Sequence, residues 1–310
     1  MKRFSASSAA QLMQCHGSAN LELAIPGYVE PQRDEMAGAK GVGTRMHSSF
    51  AQITDWSRDQ LNDLASLVEE YSKLYYLKRR AVVADTNSVE TLEWLTDAGF
   101  SVLPSEELDQ LTAWLKELDE HEQLPPKMLT YVVEALRYYN DLRTLGTRWG
   151  VTVHAEQSID CGWLPSQPKT TPDVVLLRGL QQIDVLDWKT GAIPVNPRDN
   201  DQLLFYVASA LYAYVPRPNW STMRIFVHVV QPGNQVEVEV PYSELEAWMN
   251  RAIQADRDIM LKDLTLRPGD HCTFCPANPH SRGDKAAPWC PPMYNMLYPD
   301  TTNDDEILDL

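Results

Sequence analysis

The sequence has no apolar run near the roughly 20 residues that a membrane-crossing helix needs, which excludes a helical membrane protein. Its opening residues, Met1-Lys2-Arg3-Phe4-Ser5-Ala6, lack the apolar stretch of an export signal. A soluble, cytoplasmic protein with no membrane partner is therefore expected. A glycine-rich loop ending in Lys-Ser or Lys-Thr is also missing, and that excludes a P-loop motor. Basic residues are scarce: 27 Lys and Arg face 43 Asp and Glu, for a net charge of −16. Such a balance argues against a protein that grips nucleic acid by bulk electrostatics, which draws on clustered Lys and Arg. It leaves room for an enzyme on DNA, because divalent cations held by carboxylates supply positive charge locally. Cysteines are few and odd in number: Cys15, Cys161, Cys272, Cys275 and Cys290. Without an export signal they do not suggest a disulfide framework, and metal ligation becomes the competing reading.

What is present is ordinary globular composition, 44% hydrophobic and 23% charged, enough for one large domain or two modest ones. Ser5-Ala6-Ser7-Ser8 offers helix caps before a helical stretch through Leu12, Cys15, Ala19 and Leu23. Residues 26–40 read as a loop, and Gly41-Val42-Gly43-Thr44 opens a second helix with Met46, His47, Phe50 and Ile53. Leu61, Leu64, Val68, Tyr71, Leu74 and Tyr75 recur at helical spacing. Further helices are predicted at about 88–98, 104–121 and 127–148, broken by Pro104 and Pro125-Pro126.

The pattern then switches to strands. Val151–Ile159, Asp173–Leu177 and Ile183–Trp188 are short and β-branched, with Gly or Pro turns between them. A helix over Asp199–Tyr214, strands at Met223–Val230 and Gln235–Val240, and a helix over Tyr242–Leu261 complete the set. The expected fold is α/β: a mixed central sheet flanked by helices, with a large helical insertion. In order, the chain divides into N-terminal helices (1–58), the insertion (59–149), the core (150–265), a cysteine-rich region (266–298) and an acidic tail (299–310).

On a strand, residues two apart share a face, so Asp187 and Lys189 point one way and Trp188 the other. Asp173 lies on the preceding strand, and a turn near Arg178–Gln181 brings it alongside. Gln202 and Tyr206, four apart, share one face of the following helix. Alone, an Asp-x-Lys pair is usually a solvated surface hairpin. Phosphodiester hydrolysis, however, needs an activated water, charge stabilisation and help for the leaving oxygen. Carboxylate-held divalent ions with a nearby lysine can supply these.

In order and approximate spacing, Gly43-Thr44-Arg45-Met46-His47, Pro172-Asp173, Asp187-Trp188-Lys189-Thr190-Gly191 and Gln202-x-x-x-Tyr206 resemble the motifs of the RecB-like PD-(D/E)XK nucleases. The resemblance covers most of the chain outside the insertion and implies a restriction-endonuclease-like core. It makes His47, Asp173 and Asp187, with the Trp188 carbonyl, ligands of Mg²⁺ or Mn²⁺. It makes Lys189 the catalytic lysine, with Gln202 and Tyr206 at the DNA backbone or bracing the site. Glu156, on the strand before, is a further candidate at the metal.

Cys272-Thr273-Phe274-Cys275 has the spacing that lets two thiolates meet one metal centre. In the iron–sulphur branch of the same nucleases, AddB-type enzymes and CRISPR-associated relatives among them, one N-terminal and three C-terminal cysteines hold a [4Fe–4S] cluster. The resemblance gives that role to Cys15, Cys272, Cys275 and Cys290, as a staple tying the chain ends together. Structural Zn²⁺, on four cysteines or with His271 or His280 replacing one, is the alternative, and buried unligated thiols a further one. Cys161 is expected to be a packed small residue.

The expected function is a metal-dependent DNA nuclease, an exonuclease acting on ends in phage or prophage recombination or repair. DNA is the implied partner, with a single-strand annealing protein supplying ends; the oligomeric state stays open. The alternative is a non-catalytic DNA-binding or scaffold protein that keeps the fold and the staple.

Overall fold

The computed structural model describes residues 4–28, 59–63, 65–66, 68, 126–145, 150–190, 194–278 and 290–293. His47 and its helix, the helices expected at 88–98 and 104–121, Gly191, His280 and the acidic tail lie outside these described residues.

Short helices α1 (Ala9–Gln14) and α2 (Leu21–Ala24) come first, then α3 (Pro126–Thr144), the end of the expected insertion. Next are β1 (Thr152–Ala155), the small pair β2 (Ile159–Asp160) and β3 (Lys169–Thr170), β4 (Val174–Arg178) and β5 (Gln182–Trp188). After helix α4 (Asp201–Tyr214) come β6 (Arg224–Gln231), β7 (Asn234–Glu239) and helix α5 (Tyr242–Met260). The five-stranded sheet runs β1-β4-β5-β6-β7. Its pairs are antiparallel except β5 and β6, which run parallel with Asp187 opposite Val229. A parallel pair requires a crossover, and α4 is that crossover.

Burial on both faces explains why β4 reads as a continuous apolar run over Val174–Leu177, and β5 is buried from Ile183 to Trp188 even at its two acids. Val175, Leu177, Ile183 and Val185 pack into the cluster that holds α1, α4 and α5. Val174, Leu176, Leu186 and Trp188 face the other way, onto Val132, Leu136 and Tyr139 of α3. The result is the expected α/β architecture, a mixed sheet between helical layers. Edge strand β7 alternates half-buried and exposed positions, as a one-sided edge should.

Two expectations are corrected. The single N-terminal helix is interrupted, because Cys15 leaves the helical region at φ −139° and ψ 89° and short 3₁₀ turns flank α1. The strand expected over Val151–Ile159 is two strands, since Glu156 takes φ +49° and breaks the extended run. Smaller shifts have local causes. Helix α4 begins at Asp201 because Asp199 sits at φ +62° and the Asn200 side chain accepts the Gln202 and Leu203 N–H groups.

Candidate functional site

The C-terminal end of β5 carries Asp187, 1% exposed, on the α4 side of the sheet, while Trp188 packs edge-on against Tyr139 on the α3 side. Lys189 follows directly, its N–H donating to the Val230 carbonyl at 2.9 Å, so the ladder with β6 holds its backbone. Asp173, just ahead of β4, accepts the Trp188 N–H at Oδ2 (2.6 Å). One carboxylate is thereby fastened to the backbone between the other carboxylate and the lysine.

The first turns of α4 close the arrangement. Lys189 Nζ lies 2.8 Å from Asp187 Oδ2 and donates to Gln202 Oε1 at 2.8 Å. Gln202 Nε2 donates to Asp187 Oδ1 (3.3 Å) and to the Tyr206 hydroxyl (2.9 Å). Only this orientation of the amide serves both neighbours, because an ammonium needs an acceptor and a carboxylate needs a donor. Asp187, Lys189 and Gln202 thus form a closed ring braced by Tyr206. The helical spacing of Gln202 and Tyr206 is what sets both on it.

Two phenols record the local field. Burial, then the charges of Asp187 and Asp173, push the Tyr131 hydroxyl far above its ordinary range. The Tyr206 hydroxyl is raised by burial, then Asp187 and Asp173, with Glu156 adding to them. Both phenols therefore stay protonated, and three carboxylates share the neighbourhood with one lysine. Glu156 is tied in through its N–H, which donates to the Asp173 carbonyl at 2.9 Å. Excess negative charge in a nearly dry site suits a divalent cation, so Asp173 and Asp187, with Glu156 beside them, could hold one. Among the described residues, no three His, Cys, Asp or Glu side chains are gathered tightly enough to hold a metal as they stand. Tyr131 was not foreseen, since nothing in a helix forty residues upstream of Asp173 marks it as a neighbour.

The cysteines form a second cluster. Cys15, Cys272, Cys275 and Cys290 are all buried and line one small cavity between the N-terminal turns and the segment after α5. Burial, with the charges of Cys272, Cys15 and Cys290 adding to it, pushes the Cys275 thiol up to about 11, so the four sulphurs feel one another. Each also meets a backbone donor. The Arg267 N–H reaches Cys15 Sγ at 3.4 Å; burial raises the Cys272, Cys275 and Cys290 thiols on balance, and backbone hydrogen bonds from Gly269, Ala277 and Met293 offset part of that rise. Donors aimed at sulphur favour thiolates, the form that binds metal. His271 is engaged elsewhere, with Nδ1 on Gln14 Oε1 (3.0 Å) and Nε2 on the Arg267 carbonyl (2.9 Å). Cys161 stands apart, wholly buried in the core against Ser209.

Nearly the whole sequence, residues 2–309, matches one family. The chain belongs to the family described as "Protein of unknown function (DUF2800)". No curated protein matches it. A solved structure described as "Crystal structure of SSO0001" is similar at 14% identity over 53% of this chain and 76% of that one. With a TM-score of 0.27, that likeness bears on neither fold nor function.

Proposed function

We propose that this member of the family is a metal-dependent DNA nuclease of the RecB-like PD-(D/E)XK type, acting on DNA ends. The observation that carries the reading is the closed ring of Asp187, Lys189 and Gln202 beside Asp173. It puts acids, a lysine and a bracing amide at the C-terminal end of the sheet's central strand, as the motifs resembling that family imply.

In this reading Asp173 and Asp187 hold a divalent cation together with His47 and the Trp188 carbonyl, and an imidazole in that set favours Mn²⁺ over Mg²⁺. Such an ion supplies an activated water and charge stabilisation at the phosphate. Lys189, about a quarter exposed, is the cation of the ring that reaches solvent. Its ammonium stabilises charge on the phosphate and orients water. Gln202 fixes where Nζ sits, Tyr206 fixes Gln202, and both phenols remain hydrogen-bond donors because their protons are held. The four clustered cysteines hold a [4Fe–4S] group that ties the N-terminal turns to the segment after α5, with zinc as the other candidate for the same sulphurs. DNA ends reach the enzyme from a recombination or repair partner such as a single-strand annealing protein.

The test is a time course on end-labelled linear and circular DNA with Mg²⁺ or Mn²⁺. Linear DNA should be degraded and circular DNA spared, while Asp187→Ala and Lys189→Ala should still unfold cooperatively, Lys189→Ala at a lower temperature than the parent, and lose cutting. Undiminished cutting by a folded Lys189→Ala protein overturns the assignment. Anaerobically purified protein should be brown with absorbance near 400 nm; a colourless, zinc-loaded preparation gives the cysteines to zinc.

A further inference from the structure

A groove of about 580 Å³ opens at the far end of α4 from the carboxylates. Its walls are the turn Gly162–Pro165, the end of α4 with Tyr212 and Val215, the following Trp220, and Met249 and Ile253 of α5. Trp163 donates its indole N–H to Ser209 at 3.2 Å and Trp220 to the Val215 carbonyl at 2.8 Å. Their polar ends are satisfied internally. The walls are also fixed, because Asp256 accepts both the N–H and the hydroxyl of Ser166 and pins that turn to α5. A preformed groove of this volume, lined by apolar and polar groups together, lies in the ordinary range of ligand sites.

Its charge is as distinctive as its walls. Among the described residues Arg217 and Arg257 line it and no acid does, in a chain where acids outnumber bases by 43 to 27. Arg217 lies over the Trp220 ring at 5.7 Å, and among the described residues neither arginine has an ion-pair partner. The ligand that fits is therefore aliphatic and acidic at once. A nucleic-acid strand fits less well, because its affinity rests on several phosphate contacts and two arginines in a strongly acidic chain supply few.

The chain itself carries such a sequence: Asp304, Asp305, Glu306 and Asp309 are interspersed with Ile307, Leu308 and Leu310. Reach allows the match. Met293 lines the cysteine cavity together with Arg267, which is ten residues past Arg257. From Met293 to Asp304 the chain has eleven residues, up to about 36–40 Å when extended, and the ten residues from Arg257 to Arg267 can span at most about 33–36 Å. We propose that this groove is a docking site for the chain's own acidic segment Asp304–Leu310, with its aliphatic side chains among Trp163, Trp220, Met249 and Ile253 and its acids on Arg217 and Arg257.

The test uses the full chain carrying a photoreactive diazirine analogue of leucine at position 308, with crosslinks mapped by mass spectrometry. Crosslinks within one chain should fall on residues 162–165, 212–220 and 249–257. They should drop by roughly fivefold or more in 1 M salt and in an Arg217→Glu/Arg257→Glu variant with an unchanged melting transition, since screening removes the charge match. As a second reading, labelled peptide 301–310 should bind the Ile307→Ser/Leu308→Ser/Leu310→Ser chain roughly tenfold more tightly than the unaltered chain, whose own segment competes by its high effective concentration. Crosslinks elsewhere, only between chains, or indifferent to the charge swap overturn the proposal. So does equal peptide binding to the two chains, or an oligothymidylate that occupies the groove where the peptide does not.

Discussion

Lys189 Nζ lies 2.8 Å from Oδ2 of Asp187, the carboxylate buried and the lysine about a quarter exposed. Removing the cation leaves a carboxylate in a dry site with only hydrogen bonds to hold its charge. For a fully buried pair that costs 3–5 kcal/mol; partial exposure of Lys189 reduces the expectation to about 1–3 kcal/mol. Lys189→Met should thus lose stability as well as cutting, with a rate loss on the order of a hundredfold or more. Asp187→Asn/Lys189→Met should recover the stability and none of the activity. Urea denaturation of these two variants and of Asp187→Asn checks this, and an additive double variant would show that the pair is not coupled.

Gln202 and Tyr206 brace that lysine. Tyr206→Phe removes the acceptor of the Gln202 Nε2 hydrogen bond, worth about 1 kcal/mol. Cutting should slow by roughly tenfold, in kcat more than in KM. Gln202→Leu should be worse, because it releases Lys189 and Asp187 together. A Tyr206→Phe enzyme with only KM changed would put the hydroxyl at the substrate instead of behind the lysine.

Much of this arrangement is legible in the sequence, and the rest is not, for physical reasons. Alternation sets Asp187 and Lys189 on one face and Trp188 on the other, and a short turn brings Asp173 alongside through antiparallel β4 and β5. Four-residue spacing puts Gln202 and Tyr206 on one side of α4. Those are local rules with fixed periods. Tyr131 reaches the site from a helix whose sequence neighbours say nothing of the sheet beneath it. The break at Glu156 is equally silent, since a positive φ at Glu leaves no compositional mark. Cys15 shows the converse. Its helical surroundings predict a continuous helix, and the turn occurs where its sulphur meets the Arg267 N–H.

A buried polar network on the α3 side of the sheet escaped the sequence reading as well. Asp184 accepts from Arg178 Nε at 3.1 Å and meets His228 Nε2 at 3.1 Å, while Tyr138 of α3 bonds the other ring nitrogen at 2.9 Å. Arg178 also donates to the Leu142 carbonyl (2.7 Å) and to that of Leu145, in the last turn of α3 and just beyond it. One guanidinium therefore joins a buried acid to a helix end. Arg178→Met should cost about 3–5 kcal/mol, as expected for breaking a buried pair by deleting one partner. It should also increase hydrogen exchange over 138–145. A denaturation midpoint equal to the parent's would mean that Arg178 does not hold the end of α3 to the sheet.

Gly17 supplies a test of the cysteine staple that leaves every sulphur in place. A Cβ there would stand 2.5 Å from the Leu264 carbonyl oxygen and 2.8 Å from Leu266 Cδ2, and the Gly17 N–H already bonds the Thr265 carbonyl at 2.9 Å. The N-terminal turn cannot approach this strap with any side chain present. Gly17→Ala should destabilise by roughly 1–3 kcal/mol through overpacking and lower the metal content of the purified protein by displacing nearby Cys15. Full metal content in a destabilised variant would separate the staple from the strap.

The same strap predicts a response to acid. Asp263 Oδ1 accepts from the Thr265 hydroxyl and N–H, and Oδ2 lies 2.9 Å from His16 Nδ1. The Thr265 hydroxyl first, then His16 and the Thr265 N–H, hold this carboxyl at about 2, below its ordinary 3.8. A depressed carboxyl contributes stability that is fully present above its unfolded pKa and disappears as pH falls through its folded one. The window is therefore about pH 4 down to 2. Melting temperatures of parent and Asp263→Asn should differ at pH 5 to 6 and converge near pH 2, with the parent losing more across the interval. Because the group is about a third exposed, the gap should shrink in high salt. Parallel pH profiles for the two proteins would mean that the bonds at Asp263 do not hold the N-terminal turn to the segment after α5.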